Sequence, residues 1–366
     1  MSLPSLIDQP DDLKKLCRQL RGQDFIVVDT EFIRERTYYP KLCLIQVAGP
    51  STIACVDFLA LDDLSPLTSL LLDPTITKVL HAARQDFEIF VQLTGEVPAP
   101  LFDTQVAANL CGLGDQEGLA AVAARLLSVS VDKSHTRTDW SRRPLSQRQL
   151  QYAIDDVRYL VPIYMELRER LYEQDRTAWL EEDCERLLDP SLYVVEPATA
   201  WQRLGGLAGL PQASFHAARL LANWREERAI RLDRPRGWVL RDDVLMRIAA
   251  ALPESTKALA NITGMPRPLL NKESRTLLDL IAAAGACDDP APDLPGPLNG
   301  DQRKLVGRMM DRVRQIAEEI GVSSATLATR RDVTALVRGD AAAAPLHGWR
   351  RAAIGEQLLA LSDGNA

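Results

Sequence analysis

No C-x-x-C pair, no apolar run of the roughly 18 uncharged residues needed to cross a bilayer, and no Walker-type G-x-x-x-x-G-K-[ST] occurs in this chain. These absences argue against a zinc ribbon, a membrane span and a nucleotide-driven motor. The six cysteines, Cys17, Cys43, Cys55, Cys111, Cys184 and Cys287, are scattered without a disulfide-framework spacing, which fits a reducing cytoplasm. Where a targeting peptide would be basic, Met1–Leu20 carries Asp8, Asp11 and Asp12, so a soluble, unprocessed protein is expected. Positive charge is also in deficit. A net charge of −7 argues mildly against a nucleic-acid ligand, because phosphate binding is driven by cations and counterion release. Locally the balance reverses, since Trp201–Ala250 holds nine arginines against five acids. That segment reads equally well as a solvated helix face laced with ion pairs.

What is present is a globular composition, 46% apolar and 25% charged, which rules out wholesale disorder. At 366 residues the chain exceeds one typical core, so two or three units are expected. Three β-rich runs, Phe25–Phe32, Leu42–Ala48 and Thr52–Phe58, are separated by Pro40 and Gly49-Pro50 and read as antiparallel neighbours. The pattern then alternates: a strand at Lys78–His81 leads into a helix near Asp86–Leu93, and a strand at Leu101–Asp103 into a helix through Leu110. Ser146 and Gln149 form a capping-box start, and Leu150, Ile154, Val157, Val161, Tyr164 and Leu171 recur at helical spacing after it. More helix through Arg176–Leu188 stops at Asp189-Pro190, and Val194–Gly209 reads as a linker. Beyond it the pattern is helical: Gln212–Arg231, Asp242–Ala251, Thr256–Ala260 and Leu269–Ala284, a Pro-rich break from Asp289 to Pro297, then Gln302–Ile320, Ser324–Ala328, Asp332–Val337 and Trp349–Leu361.

The residues able to carry chemistry are acids. Asp29 and Glu31 lie two apart on a strand, whose period of two puts both carboxylates on one face. They end a run as apolar as Phe25–Val28, so they approach a core and need a partner such as a metal. Asp86 opens a helix, where an acid also suits the helix dipole. Tyr152 and Asp156, four apart, share one face of the capped helix. Taken singly each of these is ordinary; the order D-x-E on a first strand, Asp after a later strand and Y-x-x-x-D on a helix is not.

That order resembles the DEDD exonuclease superfamily. Four runs, Val28–Phe32, Leu80–Glu88, Lys133–Trp140 and Tyr152–Val157, resemble ribonuclease D, and the resemblance covers essentially the whole chain. It implies an α/β RNase H-like exonuclease domain with a mixed sheet, residues 1–190, followed by two small all-α HRDC-type domains at 208–288 and 296–366. The first helical module looks like an HRDC domain through Trp224–Arg228 and Pro235–Leu240; the second is placed on order and size.

The resemblance implies that Asp29, Glu31, Asp86 and Asp156 hold two divalent metals, Mg²⁺ or Mn²⁺, hard ions that favour carboxylate oxygens. Tyr152, with an ordinary pKa near 10, stays neutral and orients the attacking water. The sister branch of the superfamily has a His where this chain has Gln151, which puts the chain in the tyrosine branch. His135 and Arg137 are candidates to meet substrate phosphate, and His81 has no metal-ligand spacing and a structural role beneath the Asp86 helix. The expected function is a 3′→5′ exoribonuclease releasing nucleoside 5′-monophosphates, acting as a cytoplasmic monomer on 3′-extended precursor tRNA and other stable RNAs, with no nucleotide cofactor. A 3′→5′ DNA exonuclease and a non-catalytic RNA-binding scaffold are the alternatives. Core packing is expected for Trp224, Trp238 and Trp349, with base stacking as the other option. Gly112-Leu113-Gly114 does not make a dinucleotide loop, because Gly118 falls one residue late for G-x-G-x-x-G.

Overall fold

The computed structural model describes residues 5–132 and 138–363. Six strands form one mixed sheet in the order β1-β4-β3-β2-β5-β6: β1 (Ser5–Ile7), β2 (Phe25–Ile33), β3 (Lys41–Ala48), β4 (Ile53–Asp57), β5 (Thr77–Leu80) and β6 (Leu101–Asp103). β3 and β4 pair antiparallel, while β1/β4, β2/β5 and β5/β6 pair parallel. β2 is therefore central, and Phe25–Val28 are buried on both faces, which is why they read as a continuous apolar run rather than an alternating one. The antiparallel expectation holds for β3 and β4. β1 and helix α1 (Pro10–Leu20) arise from a stretch in which only the acids had drawn attention; α1 buries Leu13, Leu16, Cys17 and Leu20 and turns those acids outward.

Helices cover the sheet: α2 (Ser65–Leu71), α3 (Arg84–Thr94), α4 (Thr104–Leu110), α5 (Leu119–Leu127), α6 (Gln147–Glu173) and α7 (Thr177–Glu185). The capping box of α6 forms as the sequence predicts, with Gln149 N–H donating to Ser146 Oγ at 3.3 Å and Ser146 N–H to Gln149 Oε1 at 2.9 Å. Ile154, Val157, Leu160, Ile163, Tyr164, Leu167 and Leu171 bury one face of this helix, each contributing about 1.5–3 kcal/mol. That burial fixes its rotation.

The chain divides into two compact units. The first comprises the sheet, its helices through Tyr193 and everything from Leu298 onward: α13 (Gly300–Ile320), α14 (Ser324–Leu327), α15 (Arg330–Val337), α16 (Gly348–Arg350) and, through a π-helical turn at Arg351–Gly355, α17 (Glu356–Ser362). Val306, Met309, Val313, Leu336 and Leu358 are buried in the same core as Ile26, Val27 and Phe90. Around this joint, Trp349 stacks on Trp179 with ring centroids 4.2 Å apart, Arg350 forks onto Asp183, and Arg176 donates to the Leu110 and Ile320 carbonyls. Gly112 has a φ of +74°, and a Cβ there would strike the Gly321 carbonyl oxygen, so the glycine permits a close backbone approach.

The second unit comprises Val194–Pro297 together with Arg34–Lys41. It contains α8 (Gln212–Arg231), α9 (Arg236–Val239), α10 (Asp242–Ala251), α11 (Thr256–Ala260) and α12 (Arg267–Gly285) around its own core, which includes Phe215, Leu221, Leu245, Ile248 and Leu277. The expected linker at Val194–Gly209 is instead part of this core: Pro197–Arg203 is a 3-10 helix, and Ala200, Leu204 and Leu207 are buried. Three apolar side chains spaced along that stretch outweigh its glycines. Tyr38 belongs to the same unit, its hydroxyl 2.5 Å from Glu226 Oε1. Trp224 and Trp349 pack as expected, at 9% and 8% exposure, but Trp238 is 63% exposed, and core packing fails for it. No helix of the described residues is long and apolar enough to cross a membrane.

Candidate active site

Asp29, Glu31 and Asp156 each present a carboxylate oxygen within 4.8 Å of the other two. The strand period delivers the first two from β2, and the packed face of α6 delivers the third. Thr30, between them, points away and donates from its hydroxyl to Asp86 Oδ1 at 2.5 Å. Asp86, in the first turn of α3, is buried and close enough to Asp29 and Glu31 to raise both its own proton affinity and that of Glu31.

The electrostatics follow from four acids sharing little water. Burial, then the charge of Asp156, pushes Asp29 up to about 8. Glu31 is raised by burial and by Asp29, Asp156 and Asp86 in turn. Asp86 is raised by burial and by Asp29, against the opposing Thr30 hydrogen bond. Asp156 moves up to about 7 through burial and neighbouring Asp155, opposed by a hydrogen bond from Tyr152. Without a cation, the cluster favours holding protons that it would release to a metal.

The two adjacent acids of α6 are separated by their partners. Asp155 accepts from Gln151 Nε2 at 2.8 Å and pairs with Arg158 at 2.9 Å, whereas Asp156 faces the cluster. Tyr152, one turn earlier, reaches Asp156 and packs against the buried Trp140, ring centroids 6.1 Å apart.

Three supporting groups escaped the sequence reading. Asp103 accepts from the Ala82 and Ala83 N–H groups at 3.1 and 2.8 Å and also caps α4, so it holds the turn that launches α3 and Asp86. Arg143 binds Asp57 through two nitrogens at 2.6 and 2.7 Å and donates to the Trp140 carbonyl at 2.7 Å, which ties the segment beneath Tyr152 to the end of β4. Thr30 is the third. Asp103 ends a strand just ahead of a helix and so carried an N-cap signal; Arg143 and Thr30 carried none. His81 is structural, but its partners lie at the start of α4 and ahead of α5 rather than in the Asp86 helix: its Nε2 is 3.0 Å from the Glu117 carbonyl and its Nδ1 2.9 Å from the Thr104 hydroxyl. His135 and Arg137 lie outside the described residues.

Comparison with known proteins identifies the family. A 3′-5′ exonuclease family model matches residues 4–172, and an HRDC domain model matches residues 214–281. The chain is 40% identical to a ribonuclease D of Granulibacter bethesdensis over 99% of its own length and 93% of that protein's. It is 41% identical to one of Gluconacetobacter diazotrophicus over the same shares. Among solved structures, Escherichia coli RNase D, described as an exoribonuclease involved in structured RNA processing, superposes with a TM-score of 0.89 at 33% identity, covering 99% of both chains. With full-length relatives of this kind and an exonuclease model spanning the acid-bearing elements, the chain belongs to the ribonuclease D family of hydrolytic 3′→5′ exoribonucleases.

Proposed function

We propose that Asp29, Glu31, Asp86 and Asp156 hold two divalent cations, Mg²⁺ or Mn²⁺, and that Tyr152 positions the attacking water for release of nucleoside 5′-monophosphates from RNA 3′ ends. The observation that carries this reading is the convergence of three carboxylates within 4.8 Å on a partly buried surface, where like charges repel unless a cation joins them. The donor set is all oxygen, which suits hard divalent ions. When bound, a pair of such ions stabilises the attacking and leaving oxygens of an in-line phosphoryl displacement.

The chain's own residues do the rest. Asp29, with Asp156 and Asp86 both within its electrostatic reach, would help to hold both ions. Thr30 holds Asp86 in its rotamer, and Trp140 limits the swing of the Tyr152 ring. Tyr152 directs a lone pair or its O–H to the water. His135 and Arg137 are assigned to substrate phosphate, and residues 208–288 and 296–366 to an HRDC domain and a second HRDC-like domain. The RNA is proposed to be 3′-extended precursor tRNA and other stable RNA, met by a monomer in the cytoplasm, where the free thiols seen here persist.

A 3′-extended RNA incubated with Mn²⁺, Mg²⁺ or a chelator tests the whole reading. Monophosphates appear with either ion and vanish with chelator. Asp29→Asn and Asp156→Asn fold normally and lose activity, while Tyr152→Phe lowers kcat on the order of 10²-fold with little change in KM. Full activity of either acid variant, or cleavage in chelator, would overturn the site.

A further inference from the structure

Trp238 is the one tryptophan that the second unit leaves outside its core. An indole carries a large apolar surface, and 63% of this side chain faces solvent. It is not loosely attached. α9 is a single turn whose Val239, with the following Leu240, is buried in the core, and Trp238 N–H donates to the Pro235 carbonyl at 2.8 Å. The fold thus presents a flat aromatic ring to water on a fixed backbone.

Its surroundings are cationic. Arg231, Arg234 and Arg236 flank it in the chain, and none has a side-chain hydrogen bond or ion pair among the described residues. The other arginines between Arg225 and Arg247 are occupied: Arg225 is buried against Asp242, Arg228 pairs with Glu273, and Arg241 and Arg247 share Asp243. The nearby acids are engaged too, Asp233 by the Tyr38 and Tyr39 N–H groups and Glu226 by the Tyr38 hydroxyl. An open hollow of about 430 Å³ next to Gly237 is lined by Arg236 and Arg241 and also by Asp242 and Asp243, which pair with Arg225 and with Arg241 and Arg247. Tyr172 is still more exposed, at 80%, but it is followed by Glu173 and Asp175 and lacks a surplus of cations.

We propose that Trp238, with Arg231, Arg234 and Arg236, forms a site that stacks an unpaired RNA base while the guanidinium groups meet the flanking phosphates. The proposal rests on the chain being an RNA exonuclease and adds where and how a single strand is gripped. Stacking on an indole tolerates every base, as a processing enzyme requires, and arginines along the backbone supply affinity without sequence preference. Paired bases hide their faces, so the site selects unpaired stretches over duplex.

The test uses the full chain without divalent metal. Binding of a labelled single-stranded oligoadenylate and of a blunt RNA duplex is measured for the unaltered protein, Trp238→Ala, Trp238→Phe and the double variant Arg234→Gln/Arg236→Gln. Trp238→Ala should weaken oligoadenylate binding about 5- to 150-fold and leave duplex binding unchanged, while Trp238→Phe retains most of the affinity. The arginine variant should flatten the salt dependence by roughly 0.7 per lost contact in the log–log slope. Equal oligoadenylate affinity for Trp238→Ala and the unaltered chain would overturn the site, as would an equal loss on duplex. Metal-dependent cleavage by the unaltered chain is scored separately, so that failure of the catalytic reading leaves the binding result interpretable.

Discussion

The helices from Leu298 onward and those of Val194–Pro297 are both all-helical groups that mix long and short elements, yet they occupy opposite structural situations. The later group shares its core with the catalytic sheet, whereas the earlier one closes a core of its own. The difference lies in where apolar and glycine residues meet. Trp349 has Trp179 to stack on, and the Gly321 turn has Gly112 to receive it. In the earlier group Leu221, Leu245 and Leu277 find one another. Proximity in sequence to the catalytic domain is therefore no guide to integration with it: the more distant group is the one built in.

The largest test of this contrast is removal of everything after Pro297. That cut would strip Val306, Met309 and Val313 from the core that supports β2 and α6, so the shortened chain should be insoluble or molten and inactive. A soluble truncated chain that still cleaves RNA and melts like the original would break the comparison. Paired core substitutions sharpen it. Met309→Ala and Leu245→Ala should each cost about 2–5 kcal/mol, but only Met309→Ala should lower the transition that extinguishes exonuclease activity. Scanning calorimetry run beside activity after heating would separate the two.

Smaller effects follow at two glycines of positive φ. At Gly112 a Cβ meets the Gly321 backbone, so Gly112→Ala should cost about 1–3 kcal/mol for overpacking on top of conformational strain. At Gly206, φ +82°, the nearest atom is the Met246 methyl at 3.9 Å, so Gly206→Ala should show only the strain of about 1–2 kcal/mol. Equal losses in chemical denaturation would mean that the Gly112 approach does not matter.

Proton linkage gives a further test of the contrast, in pH. The native pKa values of Asp29 and Asp156 lie above the ordinary carboxylate value near 4, at about 8 and about 7, so between those limits the folded state binds more protons than the unfolded. Stability of the metal-free first unit should then fall as pH rises from about 4 toward 8, and Mn²⁺ should raise and flatten the profile. Among the described residues the second unit has no such cluster, so its transition should ignore Mn²⁺. A melting temperature of the first unit that climbs with pH in chelator would contradict the cluster's electrostatics.

Much of this was legible beforehand because it depends on local rules. The run Phe25–Phe32 fixed a strand with Asp29 and Glu31 on one face, and Ser146 with Gln149 fixed the start and phase of the helix carrying Tyr152 and Asp156. Helices at Gln212–Arg231 and Asp242–Ala251 have the bounds their periodicity predicts. Glycine and proline content misled at Val194–Gly209, where Ala200, Leu204 and Leu207 find a core that composition cannot announce. Trp238 misled in the opposite sense: a large apolar residue is expected inside, and only the packing of its neighbours Val239 and Leu240 put it outside.

By itself, then, the amino-acid order determined which acids face the same way, because a strand repeats every two residues and a helix every 3.6. Only the tertiary structure decided that Asp155 would be occupied by Gln151 and Arg158 while Asp156 joined Asp29 and Glu31, that Arg143 would brace Trp140 under Tyr152, and that the last helices would merge with the catalytic core. Those outcomes depend on which distant surfaces fit closely enough to exclude water. A periodicity measured along one segment carries no information about its partner.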